Sequence, residues 1–137
     1  MASRGSAEVR RFREVALQRF EDAEVLLANS RTNGAMYLAG YAIECMLKAL
    51  LLAHVPASQH AGILKSFRGK MGHDLEGLKR ELQRKGVTIP AQVVRRLASV
   101  NTWSTELRYL PGRRKWQEAK GILVVAEEII AWAKGRL

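Results

Sequence analysis

The chain has 137 residues, 47% hydrophobic and 26% charged, which suits one soluble globular domain large enough to bury its own core. The single cysteine, Cys45, excludes a disulfide scaffold, and the composition excludes a disordered or collagen-like chain. Lys and Arg outnumber Asp and Glu by 23 to 13, a formal net charge of +10. The excess is local: residues 56–115 hold 13 basic and 4 acidic side chains, whereas the segments before and after are nearly balanced at 7 to 6 and 3 to 3. Such a segment favours polyanions, namely nucleic acid, nucleotides or an acidic protein; the bland alternative is that the charge only keeps the protein soluble.

Residues 1–5 are expected to be disordered, and no apolar leader follows them, so a cytoplasmic location is expected. The first predicted helix runs from Ser6 to Asn29, with Val9, Phe12, Ala16, Phe20, Ala23 and Leu27 on one face. Residues 29–34 form a turn, in which Asn33 is the expected N-cap of the next helix. That second helix runs from Gly34 to His54, stops at Pro56 and is apolar almost all round, as expected of a helix surrounded by others. Its length would suit a membrane, but Glu44 and Lys48 sit at its centre, where each is expensive in lipid. Their i,i+4 spacing suits a helix salt bridge, and Cys45 reads as an inert core thiol in a reducing compartment. No membrane association is expected.

Residues 56–72 read as a loop with one helical turn near Ile63-Leu64. A third helix runs from Asp74, its N-cap candidate, to Lys85, with Gly86 as the residue that ends it. The fourth starts at Pro90, runs to Tyr109 with a break near Asn101, and is ended by Pro111-Gly112. The fifth spans Lys115–Lys134 and carries two apolar stripes, one headed by Trp116 and the other by Ile122. One core needs one stripe, so the second predicts contact with another helix or another subunit. No segment alternates with period 2. The chain is therefore expected to be a single all-α domain over 1–137: an up-and-down antiparallel helical bundle of four long helices plus one shorter helix.

Three constellations invite a chemical reading, and the first is dismissed. The three histidines have no cysteine pair beside them, and no metal-ligand spacing occurs, so no metal and no cofactor are predicted. In Arg68-Gly-Lys70-Met-Gly-His73, an arginine and a histidine flank a glycine-rich stretch ahead of a helix start. Arginine can hold phosphorane charge, and a histidine kept neutral by nearby cations can move a proton, the two groups that a metal-free ribonuclease needs. The alternative is that His73 merely packs beside the Asp74 cap. The third constellation joins Trp103, Arg108 and Tyr109 at a helix end to Arg113, Arg114 and Lys115. Aromatic and cationic groups so interleaved can stack on bases and grip phosphates, or simply staple helices together.

The second helix, Tyr37-Leu-Ala-Gly-Tyr41-Ala-Ile-Glu44-Cys-Met-Leu-Lys48-Ala-Leu50, resembles the signature helix of HEPN-domain proteins. Gly72-His73-Asp74-Leu75 and the Trp103–Tyr109 stretch fit a subgroup of that family, so the resemblance spans roughly residues 6–135. It implies a helical bundle, usually a homodimer, with Tyr41, Glu44, Lys48 and Asp74 as structural signature. Many members are metal-independent ribonucleases and toxins, often encoded beside a minimal nucleotidyltransferase antitoxin; others bind RNA or nucleotide without cleaving it. The nuclease motif usually has a polar residue after its arginine and lies in the final helices, whereas here Gly69 follows Arg68 and the pair precedes the third helix. The resemblance thus implies an RNA- or nucleotide-binding protein of a toxin–antitoxin or defence-type module. Arg68 and His73 are its catalytic candidates, and Lys70, Trp103, Arg108, Tyr109, Arg113, Arg114 and Lys115 its binding candidates. A non-catalytic adaptor that docks a nucleotidyltransferase is the alternative.

Overall fold

The computed structural model of the chain describes residues 5–69, 74–106 and 111–137, with 101–106 given by backbone alone. These residues form six α-helices and one 3-10 turn: α1 Ala7–Ala28, α2 Thr32–Ala53, the turn Ala57–Gln59, α3 His60–Ser66, α4 Leu75–Arg84, α5 Ala91–Glu106 and α6 Trp116–Lys134. No strand occurs among the described residues. The fold is the expected all-α bundle. α1, α2, α5 and α6 are the four long helices and α4 the shorter one. The single turn expected near Ile63-Leu64 is a seven-residue helix, α3.

Local chemistry sets several helix ends. Ser6 caps α1, its hydroxyl accepting the Val9 N–H at 3.2 Å. Asp74 caps α4 by accepting the Glu76 N–H at 3.1 Å, as its sequence position predicts. Gly86, φ +88°, follows α4 in the left-handed region that a side chain makes costly. α1 ends in a Schellman motif: Arg31 N–H reaches Leu26 O at 2.9 Å and Ser30 N–H reaches Leu27 O at 3.0 Å. The residue at the left-handed position is Ser30, φ +60°, where glycine is usual.

α2 is the hub. It packs against α1, α4, α5 and α6, and nearly every residue from Ala35 to Ala53 except Tyr37, Leu38 and Tyr41 is buried. By length and apolarity α2 could cross a membrane, but 83% of its most apolar window lies inside the bundle, where neighbouring helices consume that surface. Both apolar stripes of α6 are accounted for within the chain. Ile122, Ile129, Ala119, Leu123, Ala126, Ile130 and Ala133 are buried, while Val125 and Trp132 are partly so. The second stripe faces intramolecular neighbours, α5 among them, where Arg96 Nε lies 2.9 Å from Glu128. Trp116 departs from its stripe: it opens α6 at the rim and is 46% exposed.

Candidate phosphate-binding edge and the buried ion pair

Glu44 and Lys48 form the predicted i,i+4 bridge, Lys48 Nζ to Glu44 Oε2 at 2.9 Å, with both side chains buried. A buried pair of this kind is stable only when its remaining contacts are good. Lys48 Nζ also lies 5.0 Å from the centroid of the Phe67 ring. Phe67 in turn meets Phe12 edge-on at 5.8 Å. The signature residues of α2 thus clamp the end of α3, and Arg68 emerges into solvent one residue beyond the clamp. Tyr41 is 38% exposed on the outer face of α2. Its phenol pKa is raised, first by the neighbouring Cys45 and then by partial burial. Burial, then Glu44, push the Cys45 thiol up to about 11.

The second basic region lies at the opposite end of α2. The sequence reading makes Asn33 the N-cap of a helix that begins at Gly34; instead α2 begins two residues earlier, at Thr32, and has no side-chain cap. Asn33 is engaged elsewhere. Its Oδ1 accepts the Arg114 N–H at 2.8 Å, and its Nδ2 donates to Gly112 O at 2.9 Å. Thr32, 3% exposed, donates its hydroxyl to Arg114 O at 2.7 Å. Trp116 Nε1 donates to Leu27 O at 3.1 Å. Four hydrogen bonds therefore strap residues 112–116 onto the α1–α2 turn. A cap serving α2 alone would satisfy one backbone donor, whereas Asn33 satisfies a donor and an acceptor of an irregular segment that has no ladder of its own.

The strap gathers charge. Arg113 and Lys115 are exposed and Arg114 is partly so, and the backbone that carries them lies beside Thr32, whose neighbour Arg31 is exposed as well. Several surface cations elsewhere are paired, as in Arg19–Asp22, Lys79–Glu76, Arg84–Glu81 and Arg96–Glu128. Among the described residues, no carboxylate pairs with Arg31, Arg113 or Lys115. Such an edge attracts phosphate, and the fixed backbone means that little of the segment has to be ordered on binding.

The structure treats the predicted site residues unequally. Arg113, Arg114 and Lys115 share one edge. Trp103 lies on α5, with its side chain outside the described set, and Lys70, His73, Arg108 and Tyr109 lie outside the described residues. Arg68 is not part of the strap edge: sixteen residues of α2 separate Thr32 from Lys48, roughly 24 Å at 1.5 Å per residue. Sequence reasoning missed Arg31 and the rim position of Trp116. Arg31 is a lone cation in a turn, and Trp116 falls into register with an apolar stripe, so neither carried a signal. Among the described residues, no three His, Cys, Asp or Glu side chains converge as a metal site would require.

In comparison with known families, the family model described as HEPN domain aligns with residues 9–136, nearly the whole chain. Neither the curated proteins nor the solved structures contain a match.

Proposed function

The chain belongs to the HEPN-domain family, a family assignment that points to nucleotide-binding or ribonuclease-like function, and we propose that it binds RNA or nucleotide phosphates as part of a toxin–antitoxin or defence-type module. The observation that carries this reading is the strap: Arg113, Arg114 and Lys115 held by Asn33 and Thr32 beside Arg31, with no described carboxylate on Arg31, Arg113 or Lys115. Counterion release would drive binding, so affinity for single-stranded RNA should fall steeply with salt. The test is fluorescence anisotropy of a labelled RNA octamer at several salt concentrations, with wild type and the Arg113→Ala/Lys115→Ala variant. A weaker complex with a shallower salt slope in the variant supports the reading; equal slopes refute it.

A metal-independent ribonuclease is a second reading, favoured by one observation. Phe67 is clamped by Lys48 and Phe12, and Asp74 is fixed as the α4 cap, so Arg68 and His73 belong to one short connection between two anchors. In that reading His73 takes the proton of the ribose 2′-OH. The oxygen attacks the adjacent phosphorus, Arg68 holds the phosphorane charge, and the 5′-oxygen leaves with a proton. Incubating wild type and His73→Ala with total RNA in EDTA tests it: cleavage by wild type alone supports the ribonuclease, and intact RNA with both leaves binding as the function.

A further inference from the structure

A groove between α1 and α6 adjoins the strap and has a chemistry of its own. Its volume is about 200 Å³. That is smaller than the pockets that take drug-sized ligands and suits one planar ring system. Leu27 and Leu123, both buried, give it an apolar base, with Phe20 beside them. Trp116 forms a wall. Its indole N–H is already satisfied by Leu27 O, yet the side chain is nearly half exposed. A tryptophan whose polar edge is fixed inward while its ring stays accessible is a preformed stacking surface.

Three charged side chains complete the lining: Glu24 from α1, and Lys120 and Glu127 from α6. All three are exposed, and among the described residues none is held in an ion pair. They offer one cationic donor and two carboxylate acceptors. A nucleobase presents a fixed pattern on its Watson–Crick edge. Guanine has one carbonyl acceptor next to two N–H donors. Adenine and cytosine have one exocyclic donor each, and uracil has a single N–H between two carbonyls. Carboxylates match paired donors and a lysine matches a carbonyl. Guanine is the base whose edge uses both kinds of group fully.

We propose that this groove is a guanine-selective base pocket, in which a single-stranded RNA places one guanine against Trp116 while its flanking phosphates lie on the Arg113–Lys115 strap. Lys120 donates to the guanine O6, and a carboxylate of Glu24 or Glu127 accepts from N1–H and the exocyclic amine. The proposal rests on the phosphate-binding reading of the strap and adds base selectivity to it.

The test uses the full chain and four labelled octamers of uridine that differ only at one central position: G, A, C or U. Melting of each variant checks that it is folded. The guanine octamer is expected to bind roughly tenfold more tightly than the uridine one, the size of a good bidentate base contact. Glu24→Gln/Glu127→Gln should bring the four octamers within about threefold of one another while binding of the uridine octamer is kept or strengthened. Trp116→Ala should weaken all four, and the guanine octamer by roughly tenfold.

The failures are distinguishable. Equal affinity for the four octamers, still lost in Arg113→Ala/Lys115→Ala, overturns the pocket and keeps the phosphate edge. No binding of any octamer at low salt overturns both. Dimerisation that is lost in Trp116→Ala, with no base preference in wild type, assigns the groove to a second copy of the chain and also overturns the pocket.

Discussion

Arg68 and Arg113 are both exposed arginines in the basic part of the chain, but the backbone beneath each is held by different physics. Under Arg68 the anchor is the core: Phe67 wedged between Phe12 and the ammonium of a buried Lys48–Glu44 pair. Under Arg113 it is a set of hydrogen bonds from Thr32 and Asn33 to an irregular segment at the surface. A core anchor carries a large share of the folding free energy, so it cannot be altered without cost to the whole domain. A hydrogen-bonded strap at the rim is cheaper to change and can be retuned without unfolding the bundle. The two arginines are therefore expected to respond differently to mutation, which is open to measurement.

The largest effect should come from Lys48→Ala, which takes the ammonium away from the buried Glu44 carboxylate and from the Phe67 ring. A loss of about 3–5 kcal/mol in urea unfolding is expected. Replacing both residues by apolar ones, Glu44→Leu with Lys48→Met, should recover much of it, because the pair rather than either charge is what the core tolerates. RNA binding at the strap by the molecules that remain folded should be unchanged. A loss of strap binding in folded Lys48→Ala would show that the two regions are coupled.

Asn33→Ala comes next. It removes the partners of Gly112 O and Arg114 N–H. The expected cost is about 1–2 kcal/mol in unfolding, with weaker RNA binding although no cation has been removed. Ser30→Gly tests the turn that presents the strap: the left-handed φ of +60° no longer strains a side chain, and a gain of about 1 kcal/mol is expected. Destabilisation would mean that the Ser30 side chain contributes more than its backbone costs. The smallest change in stability belongs to Arg113→Ala/Lys115→Ala, within about 0.5 kcal/mol of wild type by thermal melting. In the same variant the salt slope for single-stranded RNA should drop by about 0.7 for each phosphate that the protein no longer neutralises.

Much of the first region was legible in the sequence, because its determinants are local. The Glu44–Lys48 bridge spans one helical turn, the Asp74 cap sits two residues from the N–H it accepts, and the all-round apolarity of α2 announces a buried hub. The strap was not legible in the same way. The partners of Thr32 and Asn33 lie 82, 79 and 81 positions away, and a short polar side chain ahead of an apolar run reads as a cap unless its tertiary partner is known. Trp116 illustrates the same limit. Its register places it with Ala119 and Leu123 on the inward face, but at the first turn of α6 it stands at the rim, 46% exposed, and its ring is fixed by a carbonyl of α1. The basic composition favours a polyanion, but it does not say which cations share a surface, since the turn that carries Arg31 meets residues 112–114 only after folding.

Cys45 offers an independent clock for all of these variants. The thiol is 2% exposed, and burial holds its pKa at about 11. Near pH 8 the folded chain should scarcely react with a maleimide, because the thiol is both covered and protonated, whereas the unfolded chain has an ordinary thiol with an appreciable thiolate fraction. The same shift has a thermodynamic side: between about pH 9 and 11 the unfolded thiol gives up its proton and the folded one keeps it, so stability should fall as pH rises through that window, less so in Cys45→Ala. One sulfur at the centre of the hub helix thus converts global opening into a covalent label, and its labelling rate would follow that opening without any probe being added to the surface.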